Sequence, residues 1–242
     1  MRYISLLALL SIVGIVSIAN PSNTSAQGLL TRTYPPVTLI GFNAGVSIAS
    51  EDLSELIGGA SGGLKFGFDG GLDIEHWFDG NWGISTGVSF IQKGVDQNYT
   101  FIPGQSVGSG DDDYSMNFIE IPVLLKRGAS VSDISAGAVR PFVCAGPTFG
   151  FLASSSEKTN GNIPPLNNPA SNLEKFSISL YFGGGSLFLF NDGPTLFFDA
   201  GYETGLTNVF KSQPSRTLYT RSGQITSTAN EIIVTIGVLW QL

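Results

Sequence analysis

LKFGFDGGLDIEHWFDGNWGISTGVSFIQ, residues 64–92, decides the fold. In its first half Phe66, Phe68, Leu72, Ile74 and Phe78 fall on one parity, and Lys65, Gly67, Asp69, Gly71, Asp73 and Glu75 on the other. In its second half Trp82, Ile84, Val88 and Phe90 oppose Gly83, Ser85, Gly87 and Ser89. Side chains of a strand point alternately to the two faces of its sheet, so this period predicts strands with one oily and one polar face. Asp79-Gly80-Asn81 between the halves is hairpin punctuation. Each arm exceeds the roughly 9–11 residues that a tilted strand needs to cross a bilayer.

Composition agrees with strands in lipid. Of 242 residues, 42% are hydrophobic and only 13% charged, about half the charge of a usual soluble chain, which is roughly 25%. Mean hydropathy is +0.20. Past the N-terminus no apolar run approaches the roughly 18 residues of a spanning helix. The hydrophobicity is instead spread over alternate positions, as in a membrane β-barrel. Net charge is −7, and removing residues 1–26, which hold Arg2 and no acid, takes it to −8. Such acidity excludes nucleic acid as a partner, because phosphate binding needs a basic footprint. Cys144 has no second cysteine to pair with, and its strand position makes it a small core residue.

Taken in order, Met1–Ala26 reads as a cleaved signal peptide: Arg2 leads, Ile4–Ala19 is apolar, and Thr24-Ser25-Ala26 offers small residues before Gln27. Residues 27–37 form a periplasmic lead-in, and residues 38–242 the barrel domain. The predicted strands are Thr38–Ile48, the two arms of the opening hairpin, Ser115–Arg127, Val139–Ala153, Lys175–Phe190, Thr195–Thr207 and Asn230–Leu242. The second hairpin arm has room to run on through Tyr99–Ile102. Residues 49–63, 103–114, 154–174 and 208–229 read as long loops. The resulting fold class is all-β, an eight-stranded antiparallel transmembrane up-and-down barrel after a cleaved signal peptide. Even strand number and alternation of short and long connections suit an outer-membrane barrel with both termini periplasmic. The connection Gly128–Ala138, about ten residues, is the poorest fit to a short turn. Trp77, Phe78, Trp82, Phe190, Phe197 and Trp240 map to one interface, and Phe90, Phe149, Phe151, Phe176 and Tyr202 toward the other, as in aromatic girdles.

The predicted lumen carries Lys65, Asp69, Asp73, Glu75, Glu120, Lys126, Arg140, Asp199 and Glu203. An eight-stranded barrel is just wide enough for side chains to fill. The bland reading is therefore a plugged interior in which Lys126 and Arg140 balance acids. The sharper one is a narrow cation-preferring conduit or a ligand pocket at the mouth. Asp111-Asp112-Asp113, placed in an outer loop, lacks the spacing of a twelve-residue calcium loop and reads as a solvated acidic cluster. His76, the one histidine, falls on the oily parity beside Trp77. It reads as an interfacial residue rather than the base of a hydrolase.

The run Phe118-Ile119-Glu120-Ile121-Pro122-Val123-Leu124-Leu125-Lys126 resembles the Glu-Ile-Pro strand of the PorT-like outer-membrane β-barrel proteins of Bacteroidetes-type bacteria. Pro141-Phe142-Val143-Cys144-Ala145-Gly146-Pro147 is similar to the Pro-aromatic-Gly strand that follows it there, and Ala26-Gln27 to the usual cleavage junction. The resemblance spans about residues 37–242. It implies the barrel and says little of activity, although some relatives act in protein secretion. The end Trp240-Gln241-Leu242 departs from the family's terminal aromatic residue.

These readings lead to an integral outer-membrane protein, non-enzymatic, with a structural or binding role through its long external loops. No cofactor, metal or catalytic residue is expected. Expected partners are outer-membrane lipid and lipopolysaccharide, the barrel-assembly machinery during insertion, and an envelope protein. The alternatives are a narrow cation-preferring channel or secretion component, a lipid-modifying enzyme, and a soluble lipocalin-like barrel with its oily face inward. The low charge of the polar parity disfavours the last, since a water-facing surface needs more.

Overall fold

A computed structural model describes residues 36–54, 61–79, 81–99, 110–129, 138–160, 173–190, 193–209 and 226–242. The stretch read as a signal peptide, most of the expected lead-in and most of the predicted loops lie outside them. Among the described residues nine strands are formed: β1 Val37–Ser54, β2 Ser61–Gly63, β3 Lys65–Trp77, β4 Trp82–Tyr99, β5 Gly110–Gly128, β6 Ala138–Asn160, β7 Phe176–Leu189, β8 Thr195–Gly205 and β9 Thr226–Gln241. The short β2 prolongs β3 across Leu64, and both pair with β4. The wall therefore has eight staves, all antiparallel to their neighbours. It closes where β9 meets β1, from Leu39 opposite Gln241 to Ser54 opposite Thr226. Closure is what lipid demands, because an open edge would leave backbone N–H and C=O groups unsatisfied in hydrocarbon.

The opening hairpin forms as β3 and β4, with Asp69 opposite Ile91 and Trp77 opposite Gly83. Asp79 stabilises the reversal by accepting the backbone N–H groups of Asn81 and Trp82, each at 2.7 Å. The N–H groups of Trp82 and Asn81 hold this exposed carboxyl below the ordinary Asp value. Five residues separate β7 from β8, against four between β3 and β4, and the chain ends at the same end of the barrel, where Leu242 donates its N–H to Thr38. We call this the tight-turn end.

At the opposite end the structure corrects the sequence reading. β1 continues to Ser54, β5 begins at Gly110, β6 continues to Asn160 and β9 begins at Thr226. Asp111, Asp112 and Asp113 therefore lie in a strand, opposite Asn160, Thr159 and Lys158, and not in a loop. The reason is local. The β5–β6 register slips between Asn117 and Phe118, so that Asn117 faces Ser154 while Phe118 faces Leu152. The extra residue on β6 is a bulge that flips the alternation beyond Ala153. The residues past it are polar, so the strand no longer carries an oily signature.

The faces follow the period of two. Phe42, Phe68, Leu72, Val88, Leu125 and Ile236 are exposed on the outside. Two aromatics assigned to the girdles are corrected: Trp77 and Phe197 are buried in the lumen. Each shares the parity of an inward acid two residues away, Glu75 and Asp199, and parity prevails over the taste of Trp and Phe for interfaces. Phe78, Trp82, Phe190 and Trp240 do stay exposed at the tight-turn end. Phe42 packs edge-on against Trp240 there, and Phe151 meets Phe176 farther along.

Tyr181 shows why two wall positions are glycine. Its ring lies flat across Gly183 and Gly201: a Cβ on Gly201 would stand 2.2 Å from the ring, and one on Gly183 2.6 Å. That pose brings the hydroxyl to Asp199, to which it donates. Gly201→Val is expected to drive the ring out of this slot at a cost of about 1–3 kcal/mol, the usual penalty of overpacking. Urea midpoints of the detergent-folded barrel would register the loss. An unchanged midpoint would mean that Tyr181 has another seat.

Candidate functional site

The lumen is filled in layers, and the inward residues of β3 number them. From the tight-turn end they are Trp77, Glu75, Asp73, Gly71, Asp69, Gly67 and Lys65. The first layer is a stopper. Trp77, Phe142, Phe197, Leu39, Leu187 and Leu239 are all buried, and the Arg140 guanidinium stacks 3.9 Å from the Trp77 ring. Trp77 Nε1 donates to Glu75 at 3.2 Å.

Above the stopper, Lys126 of β5 pairs with Glu75 of β3. Its ammonium also sits 4.2 Å from the centre of the Phe142 ring. Asp199 of β8, in the same region, accepts the hydroxyl of Tyr181 and the thiol of Cys144, the latter at 3.7 Å. Cys144 is thus buried against an acid.

The strongest feature lies farther along the bore. Lys93 of β4 reaches Glu120 of β5 at 2.6 Å, Glu203 of β8 at 2.7 Å and Glu231 of β9. Glu203 also accepts Ser179 Oγ at 2.6 Å. In the ring order, β4 and β8 stand opposite each other, so this side chain bridges the full bore. The three carboxylates bring oxygens within 4.8 Å of one another, close enough for a shared metal. The Lys93 ammonium already occupies their midst as a tethered cation. Phe118, 5.8 Å from the ammonium, closes the layer.

Between the two lysine layers lies a cavity of about 90 Å³, lined among others by Asn43, Asp69, Asp73, Ser89, Glu120 and Thr235. Asn43 Nδ2 donates to Asp73 at 2.7 Å. The remaining predicted residue, Lys65, is at the far end of the bore, where it meets Asp113 and, at 2.6 Å, Ser115. The structure thus gathers Asp69, Asp73, Glu75, Glu120, Lys126, Asp199 and Glu203 around one chamber and places Arg140 and Lys65 at its two ends.

Two members were missed from sequence. Lys93 continues the inward series Ser85, Gly87, Ser89, Ile91, and Glu231 precedes the inward Ile233 and Thr235, so parity marks both. His76 lies on the outside, with Nδ1 2.9 Å from Thr38 Oγ1 and its ring edge-on to Phe78. No carboxylate contacts it among the described residues.

Comparison with known proteins accords with this geometry. Among solved structures, the outer membrane protein OprG from Pseudomonas aeruginosa superposes with a TM-score of 0.52 at 13% identity, over 86% of this chain and 96% of that one. Ail of Yersinia pestis gives 0.36 at 14% identity over 84% and 98%. The outer membrane protease OmpT from Escherichia coli gives 0.37 at 11% identity over 91% and 100%. No curated protein matches the chain. Residues 35–211 match the sequence model described as an outer membrane protein beta-barrel domain. The chain is therefore a member of that family, an integral β-barrel of the outer membrane.

Proposed function

We propose that this barrel is a sealed, non-enzymatic membrane anchor that works through the end bearing its long connections. The observation that carries this reading is the Lys93 bridge, which spans the bore from β4 to β8 above an aromatic stopper. An eight-stranded bore filled at two levels leaves no continuous water path. The working end follows from strand lengths. β4, β5 and β6 hold 18, 19 and 23 residues, against 14 and 11 in β7 and β8. Since roughly 9–11 residues span the membrane, one side of the wall rises well beyond it and offers a surface to an envelope protein or to lipopolysaccharide. Both termini then face the periplasm. The narrower PorT-like resemblance fits this arrangement: the Glu120 and Lys126 of its motif both point inward and supply the Lys93 and Glu75 pairs.

Planar-bilayer recordings of the purified barrel are expected to show no steady conductance. On intact cells, a cysteine at Lys158 is expected to react with a membrane-impermeant maleimide and one at Asp79 to stay unlabelled. Steady cation currents would instead support the second reading, a narrow cation-preferring channel, which the acid-lined chamber favours. Labelling at Asp79 alone would reverse the orientation.

A further inference from the structure

Along β5 the outward series Ile119, Ile121, Val123 and Leu125 is exposed and apolar, and Arg127 ends it. Arg127 is exposed as well. It lies two residues of strand beyond Leu125 toward the tight-turn end, roughly 7 Å. Its guanidinium stacks over Trp82, which stands opposite it on β4, with 5.1 Å between the guanidinium carbon and the ring centre. The other two cations of this end are turned away from lipid: Lys126 pairs with Glu75, and Arg140 lies 3.9 Å from Trp77. Among the described residues the Arg127 side chain meets no carboxylate. Asp79, the acid of the adjoining turn, is engaged by the N–H groups of Asn81 and Trp82. The indole N–H of Trp82, which is 40% exposed, has no acceptor among the described residues either. A lone cation and a second donor thus stand together at the border of the apolar belt.

We propose that Arg127 and Trp82 hold the phosphate of one acidic phospholipid in the leaflet at the tight-turn end. A guanidinium presents a flat fork of N–H donors that fits two phosphate oxygens at once. Stacking on the indole fixes the plane of that fork in advance. Continuity with the belt selects a lipid over a dissolved anion. With the phosphate on Arg127, the acyl chains run along Leu125, Val123 and Ile84, exposed apolar side chains of the same face. A zwitterionic lipid carries its own cation and gains less from the site. The proposal goes beyond the sealed-anchor reading: it concerns the outer wall and needs neither a closed bore nor a given orientation.

The test is native mass spectrometry of the detergent-folded barrel, titrated with phosphatidylglycerol or phosphatidylcholine in mixed micelles, so that retained lipids are counted. One phosphatidylglycerol is expected to bind more tightly than any further copy and more tightly than phosphatidylcholine. Arg127→Gln is expected to weaken it about fivefold, the usual effect of one basic residue at a lipid surface. Trp82→Phe keeps an apolar ring but removes the N–H, and is expected to weaken it about threefold, in the range of one hydrogen bond. Lys175→Gln, which removes the same charge from an exposed position at the far end, leaves binding unchanged. Heat-modifiable gel mobility shows that each variant still forms the barrel. An Arg127→Gln barrel that keeps its lipid would overturn the proposal. Equal losses from Arg127→Gln and Lys175→Gln would do the same, since diffuse attraction then suffices. Displacement of the lipid by millimolar inorganic phosphate would also overturn it, by making the site one for a dissolved anion.

Discussion

Lys93→Met is expected to be the most damaging single substitution in the lumen, costing about 3–5 kcal/mol, the range seen when one partner of a buried ion pair is removed. Methionine fills the aliphatic space of the lysine stem but supplies no charge. It leaves Glu120, Glu203 and Glu231, each 2% exposed, facing one another within 4.8 Å. Carboxylates so placed cannot all stay ionised without a cation between them. The barrel must then take up protons, admit water or loosen. Denaturation in urea, followed by tryptophan fluorescence of the detergent-folded protein, measures the loss. Adding Glu203→Gln and Glu231→Gln to Lys93→Met is expected to recover most of it, because the residual cluster then holds one charge instead of three. A loss below about 1 kcal/mol for Lys93→Met alone would place that residue among the median surface pairs. It would also remove the argument that Lys93 locks the bore.

The legible part of this molecule is the part that sits in lipid. Where one face is oily and the other is not, a period of two fixes which side chains point inward, and a one-residue slip would invert every one of them. That is why Asp69, Glu75, Glu120 and Asp199 could be placed in the lumen from sequence. The same rule marks Lys93, Glu231, Trp77 and Phe197 as inward. Lys93 was lost at the edge of the opening hairpin, drawn to Gln92, although the arm had room to run on past it. Trp77 and Phe197 were lost because composition was allowed to outvote parity. Beyond the membrane the oily face ends, and with it the signal. Ser154-Ser155-Ser156 and Asp111-Asp112-Asp113 look like loop, yet their backbones complete a ladder. No local pattern announces the bulge that reverses the alternation there. The partners of Lys93 were beyond reach for another reason. Which acids meet it depends on the stagger of staves across a closed ring, a global quantity that no window of sequence contains.

Ile236→Arg is expected to cost about 2–4 kcal/mol when the barrel is folded into phosphatidylcholine vesicles, the price of a cation at mid-membrane depth. Ile236 is 63% exposed and lies opposite Ala44 on one side and Phe198 on the other. Phe42, Val46 and Phe198 around it are exposed as well, so the site is the middle of a continuous apolar belt. Trp240, four residues on, marks the aromatic girdle, and Leu242 lies beyond it at the barrel's end. Arginine at Leu242 is expected to cost no more than about 1 kcal/mol, because its head reaches interfacial water. The contrast between the two positions carries the test. Leu242 is the more exposed of the pair, at 78%, so a scale based on water contact alone ranks them oppositely to lipid depth. Reversible unfolding from vesicles, with both variants in the same lipid, gives the two costs directly. Small and equal costs would mean that the belt does not meet acyl chains. A large cost at Ile236 alone is the outcome that a wall solvated by lipid requires.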